Sequence, residues 1–223
     1  MSDLSLTHLH KLQHSLNSTT GFDTFNDPNR LDYVFQYCQA LLDEVTEAKN
    51  CFNWKWWAKE GKDDPCYTVL IDPKNYSIEL IDMMHFLFSL NQLIFSQEHK
   101  IPLYDIEIEP VDPVLKSFFE SFKLLLTMEK DIIWIMFACV NFTDESNYSN
   151  VHTDPNKLQQ INAALKGLFV TFSKLLAYNG MSRDDACELY LKKMQVNIDR
   201  QHNSYSVVTK TEDDNNTIKQ GMK

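Results

Sequence analysis

Ile78-Glu79-Leu80-Ile81-Asp82-Met83-Met84-His85-Phe86-Leu87-Phe88-Ser89-Leu90-Asn91-Gln92-Leu93-Ile94-Phe95 is apolar nearly all round. A helix of that kind lies at the centre of a fold, with other elements packed against every side. Glu79 and Asp82 sit inside it, three residues apart and so on one face. An ionised carboxylate among such neighbours costs several kcal/mol unless it is paired or bound to metal. No Lys or Arg occurs between Ile78 and Phe95 to pair with them locally. A second pair with the same spacing, Glu44 and Glu47, flanks the apolar stripe of an earlier segment. Four carboxylates can therefore converge between two helices, an oxygen-only set that suits Mg²⁺ or Mn²⁺. The spacing alone is not specific, because it recurs at Glu60/Asp63, Glu109/Asp112 and Asp185/Glu188, where solvated helix faces account for it. His85, three residues beyond Asp82, fits three roles: a ligand to metal, a hydrogen-bonded core histidine, or a ring that hydrogen-bonds a ligand.

Outward from this segment the pattern stays helical. Apolar residues at 4, 6, 9, 12 and 16 predict a first helix over Leu4 to Leu16. Val34, Cys38, Leu41, Leu42, Val45 and Ala48 form one stripe over Leu31 to Lys49. Two further buried helices are expected at Val114 to Leu126 and Asp131 to Val140. A long one follows over Leu158 to Tyr178, stopped by Asn179-Gly180. Ser182 with Asp185 opens the last helix, which runs to about Gln201. Tyr67 to Ile71 and Tyr104 to Ile108 are the only strand candidates. The tail from Ser206 is polar and is expected to be disordered. The expectation is all-α: one bundle-like domain over 1–205, a variable helical insertion at 99–155, and a disordered tail at 206–223.

The chain of 223 residues has 43 % hydrophobic residues, enough for a core, and only 5 Gly and 7 Pro, too few for a turn-rich β fold. Its net charge of −10 excludes nucleic acid or anionic lipid as partners through bulk electrostatics. Five scattered cysteines form no CxxC or zinc spacing and read as reduced thiols. The longest apolar run, Ile132 to Val140, is about half of the roughly 20 residues that span a bilayer. The start of the chain lacks a signal-peptide pattern. A soluble intracellular protein, cytoplasmic or nuclear, is expected.

Two clusters remain. Trp54, Trp56 and Trp57 stand together with Lys55, Lys59 and Lys62. Core packing, an oligomer interface and a stacking platform for a base all suit such tryptophans. Lys192, Lys193, Asn197, Arg200, Gln201 and Tyr205 recur along the last helix. That set suits phosphate oxygens, and a basic last turn that complements the helix dipole accounts for part of it.

Four stretches in this order resemble a known family. They are Leu12-Gln13-His14-Ser15-Leu16-Asn17; Glu44-Val45-Thr46-Glu47 leading into Phe52-Asn53-Trp54-Lys55-Trp56-Trp57; Glu79-Leu80-Ile81-Asp82-Met83-Met84-His85-Phe86; and Lys193 to Tyr205 with Asn197, Arg200 and Gln201. They are similar to the dimeric deoxyuridine triphosphatases of the all-α nucleoside triphosphate pyrophosphatase superfamily. Its other members include the MazG-like enzymes and the dCTPase/dUTPase of T-even phages. The resemblance spans about 12–205, and 99–155 carries none of its motifs. The family's Asn after Lys193 is Met194 here, its Gly before Tyr205 is Ser204, and its Lys after the Trp motif falls on Ala58 beside Lys59.

The resemblance implies an obligate homodimer that hydrolyses dUTP, and dUDP, to dUMP. It implies Glu44, Glu47, Glu79 and Asp82 as metal ligands. It places Gln13, Asn17, Trp54 and His85 around the uracil, and Lys55, Lys59, Lys193, Asn197, Arg200 and Tyr205 on the phosphates. A triphosphate cannot approach four carboxylates without cations, so two or more Mg²⁺ are expected, with Mn²⁺ as substitute. Glu44 is the expected base. Gln13 and Asn17, at i,i+4, offer amide donors and acceptors to the base, and His85 offers a ring donor to a carbonyl. The alternatives are a pyrophosphatase of the same superfamily acting on dCTP or another nucleotide, and a catalytically silent helical interaction protein.

Overall fold

The computed structural model describes residues 6–19, 21, 23–27, 30–55, 57, 69–95, 118–140, 155–202 and 213–222. Seven helices account for most of these: α1 (Leu6–Thr19), α2 (Val34–Asn50), α3 (Pro73–Ile94), α4 (Phe118–Val140), α5 (Pro155–Tyr178), α6 (Arg183–His202) and α7 (Asp213–Gly221). A 3₁₀ turn, Arg30–Tyr33, leads into α2. The expected helical class holds, and the only extended pairing among the described residues is a single bridge between Phe52 and Leu70. The strand candidate at 104–108 lies outside the described residues. No described helix is long and apolar enough to cross a membrane.

Local chemistry sets the helix ends. The Asp72 side chain accepts from Asn75 N at 2.9 Å and Pro73 fills the first turn of α3. Ser182 and Asp185 cap α6 reciprocally, with Asp185 N donating to Ser182 Oγ at 3.2 Å and Ser182 N donating to Asp185 Oδ2 at 3.1 Å. Gly180, at φ 73°, ends α5 in a Schellman motif: Met181 N donates to Leu176 O and Gly180 N to Ala177 O, both at 3.0 Å.

α3 is the axis, as its composition requires, and packs against α1, α2, α5, α6 and α7. Ile78, Leu80, Ile81, Met84, Leu87 and Phe88 are all buried on it. Leu41 and Val45 of α2, and Leu168, Phe172 and Leu175 of α5, complete the central core. α4 lies on the other side of α2 and α5.

Two expectations need correction. The two helices anticipated at 114–126 and 131–140 are one continuous helix, α4. The charged run Glu129-Lys130-Asp131 reads as a break, but it contains no Gly or Pro, and Glu129 is paired with Lys49 of α2. Nor is α4 wholly buried: Leu125, Met128, Ile132 and Ile135 face the core, while Phe119, Leu126, Ile133, Trp134 and Phe137 are exposed. The second correction concerns the tail, where 213–221 form α7 instead of being disordered. Its one large apolar side chain, Ile218, is buried in the core. Lys74 Nζ donates to the carbonyls of Lys219 and Met222 at 3.1 and 2.8 Å, which satisfies two groups at the exposed helix end.

Candidate active site

α1, α2, α3, α6 and α7 enclose a cleft lined by Gln13, Asn17, Glu44, Glu47, Asp82, His85, Ser89, Lys193, Asn197, Arg200, Gln201 and Asn215, among others. The packing of α2 against α3 brings the two acidic pairs together. Carboxylate oxygens of Glu44, Glu79 and Asp82 lie within 4.8 Å of one another. Glu47 is exposed on the cleft wall beside them. Glu79 is almost fully buried and accepts from Asn75 Nδ2 at 2.7 Å.

Burial, then the negative charge of Asp82, Glu79 and Glu47, pushes the Glu44 carboxyl far above the usual carboxylate range. Burial and the charges of Asp82 and Glu47 also raise Glu79, with which Glu44 shares a hydrogen bond. Burial raises Asp82, against the opposing pull of Lys193. Lys193 Nζ lies 2.8 Å from Asp82 Oδ2 and donates to Asn215 Oδ1 at 2.7 Å. The partner that Asp82 lacks on its own helix therefore comes from α6. Arg200 adds to the positive potential at Asp82, and Asn197 and Arg200 line the same wall.

The donor set fits a hard divalent cation. It is oxygen only, comes from two rigid helices, and carries mutual repulsion that such a cation relieves. Because carboxylates must be ionised to bind metal, a cation bound here would expel a proton shared by the raised Glu44 and Glu79 carboxyls. Titration calorimetry with Mg²⁺ near pH 7, in two buffers of different ionisation enthalpy, is expected to show net proton release. Identical heats in the two buffers would contradict the shared proton.

A second part of the cleft is a polar network. Gln13 Nε2 donates to Asn17 Oδ1 at 2.9 Å and to Ser89 Oγ at 3.1 Å. Tyr190 OH donates to Gln13 Oε1 at 2.6 Å. His85 Nδ1 lies 2.7 Å from the same oxygen, and its ring stacks on Tyr190 at 4.0 Å between centroids. Burial, with the Lys193 charge, lowers the His85 pKa to about 3, so the imidazole is neutral. The ring is thus a hydrogen-bonded histidine in the cleft wall, engaged through Nδ1 by Gln13.

Other expected residues lie elsewhere. Trp54 packs on Trp57 and Phe122, with ring centroids 5.6 and 6.3 Å away, and does not line the cleft among the described residues. It lies beyond the end of α2 at Asn50, and Asn53 N is fixed to Val69 O at 2.8 Å. Lys55 sits over the Trp54 ring, 5.6 Å from its centroid. Lys59 and Tyr205 lie outside the described residues. Sequence reasoning missed Ser89, Gln92, Tyr190 and Asn215. Ser89 and Gln92 could have been found as polar groups on an otherwise apolar helix, which must find partners; Tyr190 and Asn215 carry no such signal.

No curated protein matches the chain at a significant level. The model of the dUTPase family matches residues 5–205. That range takes in all four motif stretches and the helices that carry the acidic pairs and the amide network. The chain belongs to the all-α dUTPase family, and its activity is that of a dUTP diphosphatase.

Proposed function

We propose that the protein converts dUTP to dUMP and pyrophosphate, cleaves dUDP as well, and works with Mg²⁺ held by Glu44, Glu47, Glu79 and Asp82. The observation that carries this reading is the convergence of Glu44, Glu79 and Asp82 within 4.8 Å, beside an amide- and imidazole-lined cleft. When bound, the cation neutralises phosphate charge and acidifies water. The chain does the rest. Asn197 and Arg200 hold phosphate oxygens, the guanidinium giving a bidentate clamp. Lys55, Lys59 and Tyr205 are the further phosphate residues proposed from the motifs. Lys193, expected on the phosphates, is instead paired with Asp82 at 2.8 Å and holds that carboxylate in place from α6. Glu44, once its shared proton has been expelled, takes a proton from the attacking water on a carboxylate oxygen.

Gln13, Asn17 and His85 face the base, with Trp54 proposed from the motif alone. Metal and basic groups see only phosphates, so base choice rests on these polar side chains. Initial rates on a panel of nucleotides are expected to rank dUTP above dCTP, dTTP and UTP. Exclusion of the thymine methyl is the smaller effect, about 1–3 kcal/mol. A comparable kcat/KM for dCTP and dUTP would move the protein to the dual-substrate branch.

We also infer a homodimer built on α4. Phe119, Leu126, Ile133 and Phe137 fall on one stripe of that helix, with Trp134 beside it, and Phe137 is 64 % exposed. An exposed apolar stripe of this kind, crossed by Lys123 and Lys130, marks an interaction face, and the family resemblance names a second copy as its occupant. Light scattering should give twice the chain mass, and Phe137→Glu should halve it. A monomeric wild type would refute this assignment.

A further inference from the structure

The polar network in the cleft has a direction that can be fixed from one end. The His10 carbonyl can only accept, and Gln92 Nε2 lies 2.7 Å from it. Gln92 therefore presents Oε1 to its other neighbours, and takes the Thr24 hydroxyl at 2.7 Å and Asn17 Nδ2 at 3.2 Å. Asn17 must then turn Oδ1 towards Gln13 Nε2, at 2.9 Å. Gln13 is left with Oε1 for Tyr190 OH, at 2.6 Å, and for His85 Nδ1, at 2.7 Å.

An amide oxygen only accepts, so His85 carries its proton on Nδ1 and its Nε2 is a bare lone pair. Ser89 agrees with this polarity. Its single hydrogen goes to His85 O at 3.0 Å, and its lone pairs receive Gln13 Nε2 and Asn17 Nδ2, both at 3.1 Å. His85 lines the cleft, and its buried Nε2 has no partner among the described residues. A buried acceptor left unmade costs about 1–3 kcal/mol.

We propose that Gln92 is a positioning residue which, through Asn17 and Gln13, locks His85 in its Nδ1–H tautomer, so that Nε2 accepts the N3–H of a uracil base. This rests on the uracil-nucleotide reading above and reverses the role expected of His85, which was to donate to a carbonyl. Cytosine has a lone pair at N3, so two acceptors would face each other. Thymine keeps N3–H, so this contact separates dUTP from dCTP and not from dTTP.

Nitrogen–proton correlation spectra of the full-length wild type report the His85 tautomer directly. Proton on Nδ1 is the expected result, and proton on Nε2 overturns the proposal whatever the protein hydrolyses. Gln92→Met, similar in length but unable to bond, should give mixed tautomers. It should also lower the dUTP-over-dCTP ratio of kcat/KM by at least about tenfold, in protein that retains wild-type circular dichroism and Mg²⁺ binding. An unchanged ratio in that folded variant also overturns the proposal. Should the variant not fold, the wild-type spectrum decides alone. A wild type that hydrolyses neither nucleotide contradicts the functional reading instead, and leaves the tautomer to the spectrum.

Discussion

Glu79→Gln abolishes dUTP hydrolysis, by at least about a thousandfold, while the metal-free protein becomes no less stable. The loss follows from the site. Glu79 sits in the three-carboxylate cluster, and a divalent cation supplies several kcal/mol of charge stabilisation to phosphoryl transfer, at 1.36 kcal/mol per tenfold in rate. The stability follows from electrostatics. Burial and the charges of Asp82 and Glu47 hold the Glu79 carboxyl above its ordinary range. A raised carboxyl pKa means that the folded protein binds its proton more tightly than the unfolded chain does. Stability from this group is therefore lost as pH rises from the unfolded pKa through the raised folded one, and at neutral pH the charge is a burden. A neutral amide of the same size removes that burden. Steady-state rates and thermal melting in EDTA check both halves. Equal losses of activity and melting temperature would assign Glu79 a structural role.

Asp82→Asn abolishes activity too, but it lowers stability, because losing the pair with Lys193 outweighs the relief of a carboxyl that burial also raises, and this contrast is the second large effect. Asp82 is 2.8 Å from Lys193 Nζ, with side-chain exposures of 13 % and 4 %. Removing one partner strands a buried ammonium that keeps its hydrogen bond to Asn215 Oδ1. Breaking a buried pair in this way costs about 3–5 kcal/mol, a fall of about 6–20 °C in a chain of this size. Reading α3 alone makes Glu79 and Asp82 equivalent unpaired anions, both safe to remove. The partner supplied by α6 separates them. A melting temperature for Asp82→Asn equal to that of Glu79→Gln would show that the Lys193 pair contributes nothing.

Much of this fold is legible in the sequence because its helices carry their own signals. The apolar residues of α3 dictate a central helix, and Asn179-Gly180 marks an end that the structure places there, whereas α3 starts at Pro73, five residues before the expected Ile78. The acidic pairs are legible because i,i+3 spacing fixes a shared face. What is hidden depends on contacts between distant segments. α7 is a run of polar residues around one isoleucine, and nothing local says that Ile218 will find the core. The charged middle of α4 continues as helix because Lys49, 80 positions away, meets Glu129. The polarity of the amide network depends on a backbone carbonyl at His10, which no side-chain pattern reveals.

The most direct test of the central claim is the product of the reaction itself. Phosphorus NMR of dUTP incubated with the full-length protein should show dUMP and pyrophosphate appearing together. This should occur with Mg²⁺ and cease when EDTA is added. Orthophosphate and dUDP as first products, or hydrolysis that continues at the same rate in EDTA, would contradict the assignment of the Glu44, Glu79 and Asp82 cluster as the Mg²⁺ site of a dUTP pyrophosphohydrolase.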